Sequence, residues 1–311
     1  MTTYIARRLI HMIPVLLMIS IFIFFLVRLV PGDPASVILG DKASDDAIAS
    51  LRARLQLDEP LIVQYWTFLK DAITGDLGTS IRKGEPVTDV LLSRLPATLF
   101  LAVYSSILAV IIAVPLSTIA ALNKGRWQDK LVRGFAMISL AMPAYWVGMM
   151  FLQLFAVKYD IFPVAGYGEG FFGHIESLFL PALALALSIS SVLIRSLRNS
   201  LLDTLTADYV RTARAKGLGG RQVFMAHVLR TSALSAITIL GVNLAYLVGG
   251  AAVVETIFAI PGLGQLVVKA IFDRDYPIIQ GATLFFGILV LMVNLLTDIC
   301  YASLDPRVTY S

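Results

Sequence analysis

Six stretches of this chain, 9–27, 95–123, 134–157, 177–194, 231–254 and 278–297, contain no Asp, Glu, Lys or Arg. Coiled as a helix rising about 1.5 Å per residue, each crosses a hydrocarbon core of roughly 30 Å. The sequence has 311 residues, 58% of them hydrophobic and 15% charged. A water-soluble fold would have to expose such a composition as aggregation-prone surface, so an all-α polytopic membrane protein is expected. A secretory signal at 9–27 is the weaker reading, because the run exceeds a typical signal core and no small-residue cleavage site follows it.

The segments between the apolar runs predict domains and orientation. Residues 1–30 form the first span, with Arg7 and Arg8 before it and Arg28 at its far end, where it can snorkel to the interface. Pro31, Gly32, Asp33 and Pro34 stop that helix, and 31–94 is read as a small, external, water-soluble insertion. Two helical patterns lie within it: Ile48, Leu51 and Leu55, then Leu61, Tyr65, Trp66, Phe68, Leu69 and Ile73. Residues 95–311 supply the remaining five spans. Lys124, Arg126, Lys130 and Arg133 separate spans two and three, and Arg195, Arg198, Arg211, Arg214, Lys216, Arg221 and Arg230 separate four and five. The short loops on the opposite side hold only Lys158, and Lys269 with Arg274. By the positive-inside rule both basic loops and both termini are cytoplasmic. Pro115, Pro143 and Pro181 fall inside or at the ends of spans, where kinks or broken turns are expected.

The segment 208–230 stands out within loop 195–230. Thr206 or Asp208 is a candidate N-cap, no breaker interrupts 210–216, and Gly217 sits where a left-handed C-cap is wanted. A second short helix is expected near Arg221. Small residues (Thr212, Ala213, Ala215) alternate with long cations (Arg211, Arg214, Lys216), a surface that lets another backbone approach while charges bracket the contact. A basic loop that only orients the protein needs no capped helix, glycine and second helix in that order.

The run Tyr209, Val210, Arg211, Thr212, Ala213, Arg214, Ala215, Lys216, Gly217, followed by His227, Val228, Leu229 and Arg230, resembles the cytoplasmic EAA loop of ABC importer permeases. It has the form of the dipeptide, oligopeptide, nickel and glutathione branch, first-permease type. Arg211 and Arg230 replace the Glu and Pro of the general pattern, as in that branch. Further pieces in order extend the resemblance over almost the whole chain: Gly75-Asp76-Leu77-Gly78, Leu95-Pro96-Ala97-Thr98-Leu99, Met142-Pro143-Ala144-Tyr145-Trp146, Leu180-Pro181-Ala182-Leu183, Arg195 with Arg198 and Ser200, Glu255-Thr256-Ile257-Phe258, Pro261-Gly262-Leu263-Gly264, Arg274-Asp275-Tyr276-Pro277 and Asp305-Pro306-Arg307. The resemblance implies a type I importer permease fold with six transmembrane helices in a bacterial inner membrane. The implied partners are a second, paralogous permease, two ATP-binding subunits and an extracytoplasmic substrate-binding protein. The residues implied to dock on the ATPase are Asp208, Tyr209, Val210, Arg211, Thr212, Ala213, Arg214, Ala215, Lys216, Gly217 and Leu218, and His227 by its place in the motif. The insertion and the loops around Tyr167 and Arg274 would receive the binding protein.

The sequence contains no Gly-x-x-x-x-Gly-Lys-Ser/Thr loop, and Gly217 to Gly220 lacks its spacing and its Lys, so no enzymatic site for ATP is expected. His11, His174 and His227 are too dispersed for a metal site, a lone Cys300 offers no disulfide, and no cofactor or nucleic acid is called for. Ionisable residues are nearly lacking within the spans, which disfavours a proton- or sodium-coupled carrier. Asn243, then Gln153, Ser188 and Ser191, are read either as pathway-lining groups or as interhelical hydrogen-bond partners. Glu255 and Asp298 are read as solvated or paired carboxylates at span ends. The function expected is import of a small solute such as a di- or oligopeptide. The same architecture carrying a nickel chelate or glutathione is the alternative, and a secondary transporter or a membrane scaffold is a more distant one.

Overall fold

A computed structural model describes residues 2–29, 35–36, 44–54 and 57–304. The expected stop at Pro31 to Pro34, the apolar position Leu55 and the closing Asp305-Pro306-Arg307 lie outside the described residues. Helix accounts for nearly all regular structure among the described residues, apart from one isolated bridge between Thr79 and Pro86. In order, α1 is Thr2–Leu29, α2 Asp45–Arg54, α3 Leu61–Ile73, α4 Val87–Leu122 and α5 Trp127–Ala141. Helix α6 is Ala144–Phe151, continued by a π-helical turn, Leu152–Lys158. Next come α7 (Gly170–Leu205), α8 (Asp208–Ala215) and α9 (Gly220–Val223), the last running through a second π-helical turn, Phe224–Leu229, into α10 (Arg230–Gly250). The chain closes with α11 (Ala252–Ile257), α12 (Leu263–Asp273) and α13 (Tyr276–Leu304).

Among the described residues, four helices are long and apolar enough to cross a membrane, and up to six spans result when each bent pair counts as one. The sharper bend, 96°, separates Trp127–Ala141 from Ala144–Lys158. Its cause is local: Pro143 has no N–H to continue the ladder and drives Met142 to extended backbone (φ −85°, ψ 123°). The second bend, 40°, lies between Gly220–Ala233 and Ala236–Leu247. At Pro115 and Pro181, where kinks or broken turns were also expected, no turn is broken and the helices run on.

The chain forms two compact units. One comprises Met1–Pro96 with Gln265–Leu289. In it, Phe24 of α1 is fully buried, its ring 5.3 Å from that of Tyr65 and 6.0 Å from that of Phe68. Arg28 donates to Gln64 Oε1 from Nε (3.1 Å) and Nη2 (2.6 Å), so this guanidinium is tied to α3 rather than free to snorkel. Asp275, at the threshold of α13, accepts from Ser80 Oγ (2.6 Å) and from the backbone N–H of Ile81 (3.2 Å) and Arg82 (3.3 Å). That carboxylate, 1% exposed, replaces the ladder that the loop 79–86 lacks.

The other unit comprises Ala97–Gly264 with Val290–Ser311. Helix α7 is its centre and the most buried of the four continuous spans. Ala182, Ala184, Ala186, Ser190 and Ser191 line α7 with small side chains, which lets neighbouring backbones approach. Leu178, Leu185, Leu193 and Leu197 fill the remaining space, with Leu101, Ala109 and Ala113 of α4 in the same core.

Candidate functional site

The loop after α7 is built as a small rigid body. Thr206 ends α7, and Ala207 (φ −67°, ψ 146°) occupies the N-cap of α8 without a side-chain bond, so neither Thr206 nor Asp208 caps it as expected. Thr206 is spent on the preceding helix, its hydroxyl donating to the Asp203 carbonyl at 2.9 Å. Asp208 is the first helical residue, where its charge meets the positive end of the helix. At the other end Gly217 takes φ +82°, and two bonds close the turn: Gly217 N–H to the Arg214 carbonyl (2.9 Å) and Leu218 N–H to the Ala213 carbonyl (3.4 Å). That pair is a Schellman cap, which needs a left-handed residue between its two donors and so selects glycine.

Which side of α8 faces inward follows from its period. Val210 and Ala213, three apart, are buried with Leu201 of α7, Ala121 of α4, Val223 and Val228, and Leu218 packs against the same cluster. Of the residues expected to dock, Val210 and Ala213 therefore face the protein's own interior. Asp208, Tyr209, Arg211, Thr212, Arg214, Ala215, Lys216 and Gly217 are exposed, leaving Thr212 and Ala215 as the small residues between the cations. Arg211 lies 3.7 Å from Asp208, a solvent-exposed pair worth little in stability. His227 is half-buried in the π-helical turn.

A second feature of the same unit escaped the sequence reading. Asp129, 1% exposed near the start of α5, accepts from Arg198 of α7 at Nε and Nη2, both 2.7 Å, and from Gly125 N–H at 3.0 Å. Arg133 adds a longer contact at 3.5 Å. The bidentate fork neutralises a carboxylate that could not otherwise be held out of water. The available signal was a single acid among Lys124, Arg126, Lys130 and Arg133.

The residues read as pathway-lining lie on three elements: Asn243 on α10, Ser188 and Ser191 on α7, and Gln153 on the π-helical turn after α6. Asn243 Nδ2 donates to the Ile239 carbonyl of its own helix (2.7 Å), and Ser191 Oγ to the Ser188 carbonyl (2.7 Å). These bonds are intrahelical, unlike the interhelical ones considered. Gln153 is exposed on the π-helical turn after α6. Glu255, read as a solvated or paired carboxylate, is fully buried and paired. Its carboxylate accepts from Thr98 Oγ1 (2.7 Å), and the same Thr98 oxygen accepts from Leu263 N–H (2.8 Å). Gly262 lies against that carboxylate, where any side chain would overlap it. His174 stacks on Tyr167 (centroids 3.9 Å apart), and no cluster of metal-ligating side chains occurs among the described residues.

Apolar helices, two of them bent pairs, and a capped helix–glycine–helix loop packed onto two spans define a polytopic permease. The chain belongs to the family described as "Binding-protein-dependent transport system inner membrane component", which it matches over residues 113–310, with the N-terminal family of the same membrane components matched over residues 1–102. It is similar to the glutathione transport system permease protein GsiC of Salmonella typhimurium (strain LT2) and of Escherichia coli (strain K12), 37% identical over 310 residues and the full length of both chains in each case. Among solved structures it resembles an inward-facing methionine ABC transporter, MetNI (TM-score 0.58, 16% identity, 70% of this chain and 96% of that one). It also resembles an amino acid ABC transporter solved with histidines (TM-score 0.53, 12% identity, 70% of this chain and 94% of that one). The protein is thus a multi-pass inner-membrane permease subunit of an ABC importer of the peptide branch.

Proposed function

We propose that this chain pairs with a second, paralogous permease to enclose a solute pathway, and that two separate ATP-binding subunits drive the pathway by seating on the exposed face of α8. The observation that carries the reading is the division of α8. Val210 and Ala213 anchor it to α4 and α7, while Arg211, Thr212, Arg214, Ala215 and Lys216 remain outside. A helix anchored in this way passes a push on its outer face directly to two spans, so closure of the ATPase pair shifts the access of the pathway. The basic loops and both termini are cytoplasmic in this reading, following the Lys and Arg asymmetry. An extracytoplasmic binding protein delivers cargo on the opposite side, near Tyr167 and Arg274. ATP is hydrolysed by the partners, since the sequence has no phosphate-binding loop.

The cargo is a short peptide-class solute, with glutathione first among candidates because full-length relatives are named for its transport. The test is ATPase activity and uptake by the assembly reconstituted in vesicles, with Arg211→Glu/Arg214→Glu against wild type. Both arginines are exposed, so the variant keeps its fold. Loss of binding-protein-stimulated hydrolysis and of uptake is expected; unchanged activity would leave the loop as a topology determinant only. Uptake of labelled glutathione, competed by unlabelled dipeptides, separates glutathione from general peptide cargo.

A further inference from the structure

Helix α3 belongs to the segment read as a water-soluble insertion, yet part of its surface is apolar and exposed. Residues advance about 100° around a helix. One face meets α1: Gln64, 7% exposed, receives Arg28, Tyr65 shares a 2.9 Å hydrogen bond with Ser20, and Tyr65 and Phe68 hold the ring of Phe24. One flank of that face is an apolar stripe about 60° wide, formed by Ile62, Trp66, Leu69 and Ile73. Ile62 is 83% exposed, Trp66 68% and Ile73 79%. The other flank carries Thr67 and Asp71, with Lys70 and Val63, 43% exposed, between the two flanks.

The contacts with α1 also set the depth of α3. The apolar window of α1 ends at Leu26. Ser20 lies six residues inside that end, or about 9 Å at the helical rise, Phe24 about 3 Å inside, and Arg28 about 3 Å beyond. Touching all three levels, α3 lies alongside the end of that apolar window instead of standing clear of it.

We propose that α3 is an interfacial helix whose Ile62–Trp66–Ile73 stripe is embedded in the headgroup–acyl boundary of the phospholipid bilayer. On α1, Met18, Ile21, Phe22 and Phe25 are likewise apolar and exposed. An exposed apolar flank, a polar flank and a tryptophan at the boundary are what such a helix requires. Gln64 and Arg28 then satisfy each other where neither has bulk water. The inference rests on the membrane location of the family and not on the reading of cargo or ATPase docking.

The test uses the reconstituted importer, free of cysteine through Cys300→Ser and equivalent changes in its partners. Single nitroxide labels are placed at Ile62→Cys, Trp66→Cys, Ile73→Cys and, on the other flank, Thr67→Cys. In phosphatidylcholine/phosphatidylglycerol vesicles without binding protein, the first three labels are expected to relax with oxygen and to be shielded from a water-soluble nickel chelate, with the opposite order at position 67. Nickel access at positions 62, 66 and 73 overturns the proposal in favour of a water-exposed surface. Shielding from both reagents overturns it in favour of a protein partner covering the stripe. Independently, brominated phosphatidylcholine should quench less of the total emission in Trp66→Phe than in wild type; an identical quenched fraction overturns the proposal.

Discussion

Replacing Asp129 with Ala strands Arg198 in a site built for a carboxylate. The pair has two 2.7 Å contacts, Asp129 is 1% exposed and the Arg198 side chain 14%. Breaking a buried pair costs about 3–5 kcal/mol; because Arg198 keeps some solvent contact, the lower end, about 3 kcal/mol, is expected. Removing both charges with side chains of similar volume, Asp129→Leu with Arg198→Met, spares the desolvation of either partner and should cost less than one single substitution. Arg133, whose side chain is 55% exposed, should contribute no more than about 0.5 kcal/mol. The assay is the thermal midpoint of the purified complex for wild type, both singles and the double, read as a double-mutant cycle. The double should melt above both singles. Additive losses, with a coupling energy below about 0.5 kcal/mol, would refute the claim that this pair joins α5 to α7.

Two further outcomes follow from the glycines. A Cβ at Gly217 meets nothing within 4 Å, so only the left-handed backbone penalises Gly217→Ala, by about 1–2 kcal/mol. Gly217→Asn should cost less, and Gly217→Pro more, since proline cannot reach φ +82° and loses the N–H bonded to Arg214. Uptake should rank Gly, Asn, Ala, Pro, and an alanine variant equal to wild type would contradict the cap. Thr98→Val removes the hydroxyl that donates to Glu255 and accepts from Leu263 N–H, at about 1–3 kcal/mol for the buried backbone N–H it strands, with rescue by Thr98→Ser. Gly262→Ala, which presses on the same carboxylate, should lower the melting midpoint more than Gly217→Ala; the reverse order would contradict the packing around Glu255.

The candidate loop was legible because its signals are local. A run without breakers, an acid in the first turn and a glycine after the last cation specify α8 and its cap from neighbours within one turn. The N-cap was misread for the same reason: Thr206 looks like a cap until the end of α7 claims its hydroxyl. The bend at Pro143 was equally local, whereas Pro115 and Pro181 carry the same residue type without breaking their helices.

By itself, the sequence determined the class, the spans and the capped loop, since each depends on hydrophobicity and backbone preference summed over adjacent residues. Only the tertiary structure decided which face of α8 is anchored, that Glu255 is buried against Gly262 and paired with Thr98, and that Asp129 meets Arg198 from 69 positions away. It also turned Gln64 and Tyr65 toward α1 and left Trp66 outside. The physical reason is that a polar or charged group is tolerated inside an apolar fold only where a partner arrives, and for Asp129, Glu255 and Gln64 that partner comes from another helix at a distance no local pattern records.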